Sequence, residues 1–174
     1  MNLLRLLSLL FFALQIFSAQ PKNILFVGNS YLYYNNSVHN YVEPMMREFY
    51  GSEIETKLSA IGGSKLYHHN IDHLLNPINL NLNQQIDLLI MQGGSTEVIS
   101  ITNQKRFIQT AKEYSAKAQK LGVKTALYMT HAFTEADSRF EPNLIRKIAQ
   151  TYFTAGKESK SIVIPVGLAY EIAY

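Results

Sequence analysis

Residues 23–34 read NILFVGNSYLYY, and the way that stretch changes character decides the fold. Ile24, Leu25, Phe26 and Val27 are the aliphatic, β-branched and aromatic residues of a short buried strand. The run breaks at Gly28-Asn29-Ser30, where glycine permits a tight turn and asparagine tolerates unusual backbone angles. Ser30 is left where the next helix begins. In an open α/β sheet, ligands and reacting groups collect at that end of the strands. Ser30 is therefore a candidate nucleophile, and the competing reading is a helix N-cap, which serine performs without any chemistry.

Outward from this turn, the chain alternates. Residues 36–50 carry Val38, Tyr41, Val42, Met45, Met46 and Phe49 at helical spacing, with Pro44 predicting a late start or a kink. Residues 53–60 place Ile54, Thr56, Leu58 and Ala60 on one face of a half-buried strand, and Gly62-Gly63-Ser64 follow as a second glycine turn. Residues 65–75 predict a short helical piece, and residues 76–85 a loop with at most a turn of helix. Residues 86–91 are nearly all apolar after Asp87, the mark of a central parallel strand, and end in Gln92-Gly93-Gly94-Ser95. Residues 103–121 form the clearest helix, with Phe107, Ala111, Tyr114, Ala118 and Leu121 inward, Thr102 as N-cap and Gly122 as stop. A fourth strand spans 123–129 and ends in Thr130-His131. Pro142 opens a helix with Leu144, Ile145, Ile148, Tyr152 and Ala155 inward. Residues 161–166 are a fifth strand, and 167–174 begin a helix. Strand and helix in alternation predict a parallel sheet with right-handed crossovers, covered on both faces.

The 174 residues suit one domain, and 47% hydrophobic against 17% charged supports a packed core. A net charge of +3, scattered along the chain, argues against a nucleic-acid partner. The chain has no cysteine, which excludes disulfides, thiolate catalysis and cysteine-based metal sites. Arg5 followed by the apolar run 6–17 and the small pair Ser18-Ala19 reads as a secretory signal peptide over residues 1–19, leaving a domain at 20–174 in a secreted or periplasmic location. That run is shorter than the ~20 apolar residues a membrane-spanning helix needs, so no stable span is expected.

A serine needs a base and an oxyanion hole. The three turns open at one sheet edge, so the N–H groups of Ser30 and of Gly62 or Gly63, with the side-chain amide of Gln92, are placed to converge on one oxyanion. The order Gly-Asn-Ser, Gly-Gly-Ser and Leu-Ile-Met-Gln-Gly-Gly-Ser, joined by Tyr128-Met129-Thr130 and Pro165-Val166-Gly167-Leu168-Ala169, resembles the SGNH (GDSL-type) hydrolases, in particular a bacterial secreted branch. The resemblance covers nearly all of residues 20–174. It implies a three-layer α/β/α flavodoxin-like sandwich, five parallel strands, esterase chemistry on small acyl or carbohydrate esters, and no metal or organic cofactor. It implies Ser30 as nucleophile and oxyanion donor, and Gly63 or Gly62 as second donor. Where the family has an asparagine as third donor this chain has none; Gln92 is preferred to Ser95 as its substitute. Asn29 stands where aspartate is commoner, and Asn29, Tyr31, Ser95 and His131 are read as substrate-lining.

The family's general base is the histidine of an Asp-x-x-His beyond strand five, and no such motif occurs here. The expectation is a chain truncated before its catalytic base and its final helix, with negligible esterase activity by itself. The five histidines all lie upstream. His69 and His73, four apart, are read as solvent-facing rather than metal-binding. The alternative to an esterase is a non-catalytic carbohydrate-binding or interaction module of the same fold. A flavodoxin-like nucleotide binder is weaker, because Gly28-Asn29-Ser30 lacks a glycine-rich phosphate cradle.

Overall fold

A computed structural model describes residues 20–51 and 53–173 of the chain. The expected signal peptide lies outside the described residues. The elements run in the expected order: β1 (Asn23–Gly28), α1 (Ser30–Tyr33), α2 (Val38–Tyr50), β2 (Glu55–Ala60), α3 (Ile71–Leu74), β3 (Leu88–Gln92), α4 (Ile101–Lys120), β4 (Lys124–Tyr128), α5 (Leu144–Ser159), β5 (Ile162–Ile164) and α6 (Val166–Ala173). Two 3₁₀ turns, Leu66–His68 and Pro77–Leu80, flank α3.

Among the described residues the strands form one sheet in the order β2-β1-β3-β4-β5, every pair parallel. The nearly all-apolar strand of the sequence, β3, lies in the middle. The order reverses between β1 and β3, and that crevice is where doubly wound sheets bind ligands. Ser30 follows β1 and the Gly93-Gly94 turn follows β3, so both stand at the switch point.

Strand periodicity sorts the core into two layers. Leu25, Val27, Leu89, Met91 and Leu127 face one side, where Phe107, Ala111 and Ala118 of α4 and Leu144, Ile148, Tyr152 and Ala155 of α5 cover them. Ile24, Phe26, Ile90 and Ala126 face the other, against Leu32, Ile54 and the half-buried Val38, Val42 and Met46. This second layer is thinner: α2 contributes no fully buried residue, and Tyr128 and Ile164 stay partly open.

Local departures have local causes. Asn35, Asn36 and Ser37 all have positive φ, so α2 starts at Val38, the first apolar residue of the 36–50 window, and it runs on through Pro44 instead of starting after it. The N-cap of α4 is Ser100, whose hydroxyl accepts from Asn103 N at 3.3 Å, and not Thr102. Leu121 is more than half exposed, because the chain has already left the helix there and turns at Gly122.

Candidate active site

Gly28 ends β1 under a close approach. A Cβ there would lie 2.6 Å from Gln92 Oε1 and 2.8 Å from Leu32 Cδ1, so only glycine lets the β1 and β3 ends close up. The next residue settles the role of the serine. Asn29, not Ser30, is the N-cap of α1: its side-chain oxygen accepts from Tyr31 N at 3.1 Å. Ser30 is the first helical residue, half-buried, and among the described residues no protein group is hydrogen-bonded to its hydroxyl. The capping explanation is thus taken up by the neighbour, and the hydroxyl is left for something else.

Asn29 also ties the turns together. Its Nδ2 donates to the Ser64 carbonyl at 3.0 Å, and its backbone N–H donates to Gln92 Oε1 at 3.0 Å. Ser64 Oγ returns across the gap to the Gly28 carbonyl at 3.2 Å. The β1, β2 and β3 turns therefore meet at one point, all buried there and all hydrogen-bonded to one another.

Their N–H groups differ in what they have left to offer. Gly93 N–H is spent on the Tyr152 hydroxyl at 3.1 Å, and Gly94 N–H on the Glu97 carboxylate. Ser30, Gly62 and Gly63 have no acceptor for their N–H groups among the described residues, and both glycines are exposed. Gly63 has φ +69°, a backbone that costs an L side chain energy and glycine little. The reading of Gln92 is corrected: its side chain is 1% exposed, its Oε1 receives Asn29 N and its Nε2 donates to the Gly93 carbonyl, so its amide braces the turns and does not face the cleft.

A cleft of about 350 Å³ opens beside this turn, lined by Tyr31, Tyr34, Tyr41, Tyr128, His131 and Tyr170 among others. The His131 ring stacks between Tyr31 (centroids 4.7 Å) and Tyr170 (5.1 Å). His131 Nδ1 lies 2.8 Å from the Ala132 carbonyl; donating that proton leaves Nε2 as a lone-pair acceptor. Ser95 sits against the Tyr31 phenol, whose pKa is raised by burial.

Three contributors had not been placed at the site from the sequence. Glu97 is 1% exposed; one carboxylate oxygen takes both Leu66 N (3.0 Å) and Gly94 N, joining the β2 and β3 turns, while the other oxygen has no partner among the described residues. Burial outweighs those two donors and pushes its pKa up. The signal was present, since Glu97 is the only charged residue between Asp87 and Lys105. His69 is the second, and the expectation of a solvent-facing ring is corrected: it is 5% exposed, with Nε2 3.2 Å from Ser64 Oγ, and burial lowers its pKa. It closes a 3₁₀ turn while His73 is an exposed residue of α3, so the two do not share a helix face. Tyr152, on the inner stripe of α5, is the third, and burial raises its phenol pKa. Nothing in that stripe marks its hydroxyl as the prop of Gly93.

A parallel sheet of order 2-1-3-4-5, with Ser30 at its switch point, defines the class of doubly wound α/β proteins. No protein-family model matches the chain, and no curated protein matches it by sequence. Solved structures do. A protein described as an SGNH hydrolase from Slackia heliotrinireducens superposes with a TM-score of 0.66 at 20% identity, over 88% of this chain and 83% of that one. The acetyl xylan esterase AlAXEase superposes with a TM-score of 0.62 at 17% identity, over 87% and 82%. AlinE4, an SGNH-hydrolase family esterase, gives 0.63 at 15%, over 87% and 79%. These likenesses establish the fold: the chain is built on the α/β/α sandwich of the SGNH hydrolases, as its motifs led one to expect.

Proposed function

We propose that the chain is an SGNH-type serine ester hydrolase, with Ser30 as nucleophile and the N–H groups of Ser30 and Gly63, or Gly62, as oxyanion donors. The observation that carries this is the Ser30 hydroxyl, relieved of capping by Asn29 and standing beside N–H groups that have no acceptor among the described residues. In the reaction, Ser30 Oγ bonds to the ester carbonyl carbon and gives up its proton, the carbonyl oxygen takes the charge, and the alcohol leaves with a proton. Water then releases the acyl group and restores the hydroxyl. Fixed N–H donors aimed at the developing charge are worth several kcal/mol in such sites. The aromatic cleft supports a carbohydrate ester as substrate, since sugar faces pack on tyrosine rings, and the apolar leader supports an exported protein.

The Asp-x-x-His of the resemblance is not among the 174 residues, so the chain as it stands is expected to work slowly. Prolonged incubation with a fluorophosphonate, followed by intact mass and peptide mapping, tests the reading. A slow adduct on Ser30, absent from Ser30→Ala, is the expected result. An unlabelled Ser30 after exhaustive incubation overturns it and leaves a non-catalytic carbohydrate-binding module. Rapid p-nitrophenyl acetate turnover that disappears in Ser30→Ala would instead refute the slow-enzyme expectation and point to a base within the chain, His131 first.

A further inference from the structure

One residue past Ser64 the chain builds a cluster that the ester chemistry does not use. Arg106 of α4 lays its guanidinium over the Tyr67 ring, Cζ 5.0 Å from the centroid, and Nη1 donates to the Tyr67 hydroxyl at 3.3 Å. Lys65 Nζ is 6.0 Å from the same centroid. His68 meets the ring edge-on at 4.3 Å, its Nδ1 accepting from Lys65 N at 3.2 Å. Two cations thus gather on one tyrosine.

What they lack is an anion. Among the described residues neither Lys65 nor Arg106 forms an ion pair, a state they share with other cations such as Lys105 and Lys160 and combine with a shared aromatic ring. Glu97 lies within electrostatic reach of Lys65 and His68. It is buried beneath the turn and committed to Leu66 N and Gly94 N, so it offers the cluster no ion pair. The cluster is also near the reacting group. Lys65 follows Ser64, whose carbonyl is held by Asn29, the residue before Ser30. The Lys65 stem packs on Gly94, with Cγ 3.2 Å from where a Gly94 Cβ would be. Lys65 is two residues from Gly63, on the β2-turn side of Ser30 and apart from the aromatic cleft that Tyr31 and His131 line.

We propose that Lys65 and Arg106 form an anion-reading subsite, and that the ester presented to Ser30 carries a carboxylate on its alcohol portion, as an esterified uronic-acid oligosaccharide does. This rests on the hydrolase reading and narrows its substrate class. The guanidinium supplies a planar fork suited to a carboxylate, with only Nη1 hydrogen-bonded among the described residues, and the ammonium supplies a second point charge. Neither charge must be freed from an existing ion pair before the substrate is bound.

Calorimetric titration of the 174-residue chain with trigalacturonate, and with neutral xylotriose as comparison, tests the proposal. Trigalacturonate is expected to bind more tightly than xylotriose and to weaken as NaCl rises from about 20 to about 200 mM, because screening shortens the reach of exposed charges. The double variant Lys65→Ala/Arg106→Ala is expected to lose about tenfold or more of that affinity, the scale of one or two charge-assisted hydrogen bonds. Arg106→Lys should lose part of it, and xylotriose binding should not respond to any of these changes. An equal affinity for the two sugars, or an unchanged trigalacturonate affinity in a double variant that melts like the parent, overturns the subsite. The hydrolase reading is scored separately by fluorophosphonate labelling of Ser30, so charged-sugar binding without labelling would sink that reading and leave the subsite standing.

Discussion

Asn29 Nδ2 donates to the Ser64 carbonyl at 3.0 Å, and through that bond the turn bearing Ser30 is fastened to the turn bearing Gly62 and Gly63. The same side chain caps α1 by accepting from Tyr31 N. Removing it leaves a buried carbonyl and a helix N-terminus unsatisfied. Asn29→Ala is therefore expected to lower unfolding stability by about 1–3 kcal/mol, the combined scale of a lost cap and an orphaned buried acceptor. Urea denaturation measures the loss. Labelling of Ser30 should fall as well, because the two turns are no longer held in register.

Gly28 marks the tightest approach between the β1 and β3 ends. Gly28→Ala would drive a methyl to within 2.6 Å of Gln92 Oε1, a side chain pinned by Asn29 N and the Gly93 carbonyl and unable to swing away. Overpacking of this kind costs about 1–3 kcal/mol. A variant with the parent's urea midpoint would show that the β1–β3 seam is looser than these contacts require.

Glu97 makes stability depend on pH in a direction opposite to most carboxylates. Burial raises its pKa above the usual 4.5, so above that pH the folded chain holds a proton that the unfolded chain has released. Stability from this group is present at low pH and drains away as pH rises through the folded value. Glu97→Gln has no proton to lose. Urea midpoints measured from about pH 4.5 to about pH 8 should therefore move steadily in favour of the variant; parallel curves would show a carboxyl that stays ionised in the fold.

His69 tilts the other way. Its buried ring is held neutral against Ser64, with a pKa below the usual 6.5. As pH falls below 6.5 the unfolded chain takes up a proton that the folded chain refuses, and stability is lost. His69→Gln should flatten that acid limb while leaving the alkaline limb due to Glu97 intact. Because the two slopes oppose each other, each is read from its own variant against the parent.

Much of the architecture was legible before any coordinates. The apolar run of β3 announced a central strand because a strand covered on both faces cannot alternate. The inner stripe of α5, from Leu144 to Ala155, was named residue by residue, because helical spacing and burial are one geometric fact. Ser30 and the Gly62-Gly63 turn could be singled out because glycine and serine at strand ends are local backbone statements. Helix boundaries were harder. The start of α2 depends on three consecutive residues of positive φ, and the cap of α4 on which of two neighbouring hydroxyls reaches Asn103 N.

By itself, then, the order of residues determined the parallel sandwich, the strands that build it and the serine at its rim, since each follows from chain-local periodicity and turn chemistry. Only the tertiary structure decided who does what around that serine. Bracing of the turns passed to Asn29, Gln92 and Glu97, and Arg106 met Tyr67, because those roles depend on distances between residues some thirty to sixty positions apart in the chain. A sequence pattern records what each residue can donate or accept; which partner is within 3 Å is set by the packing of the whole domain.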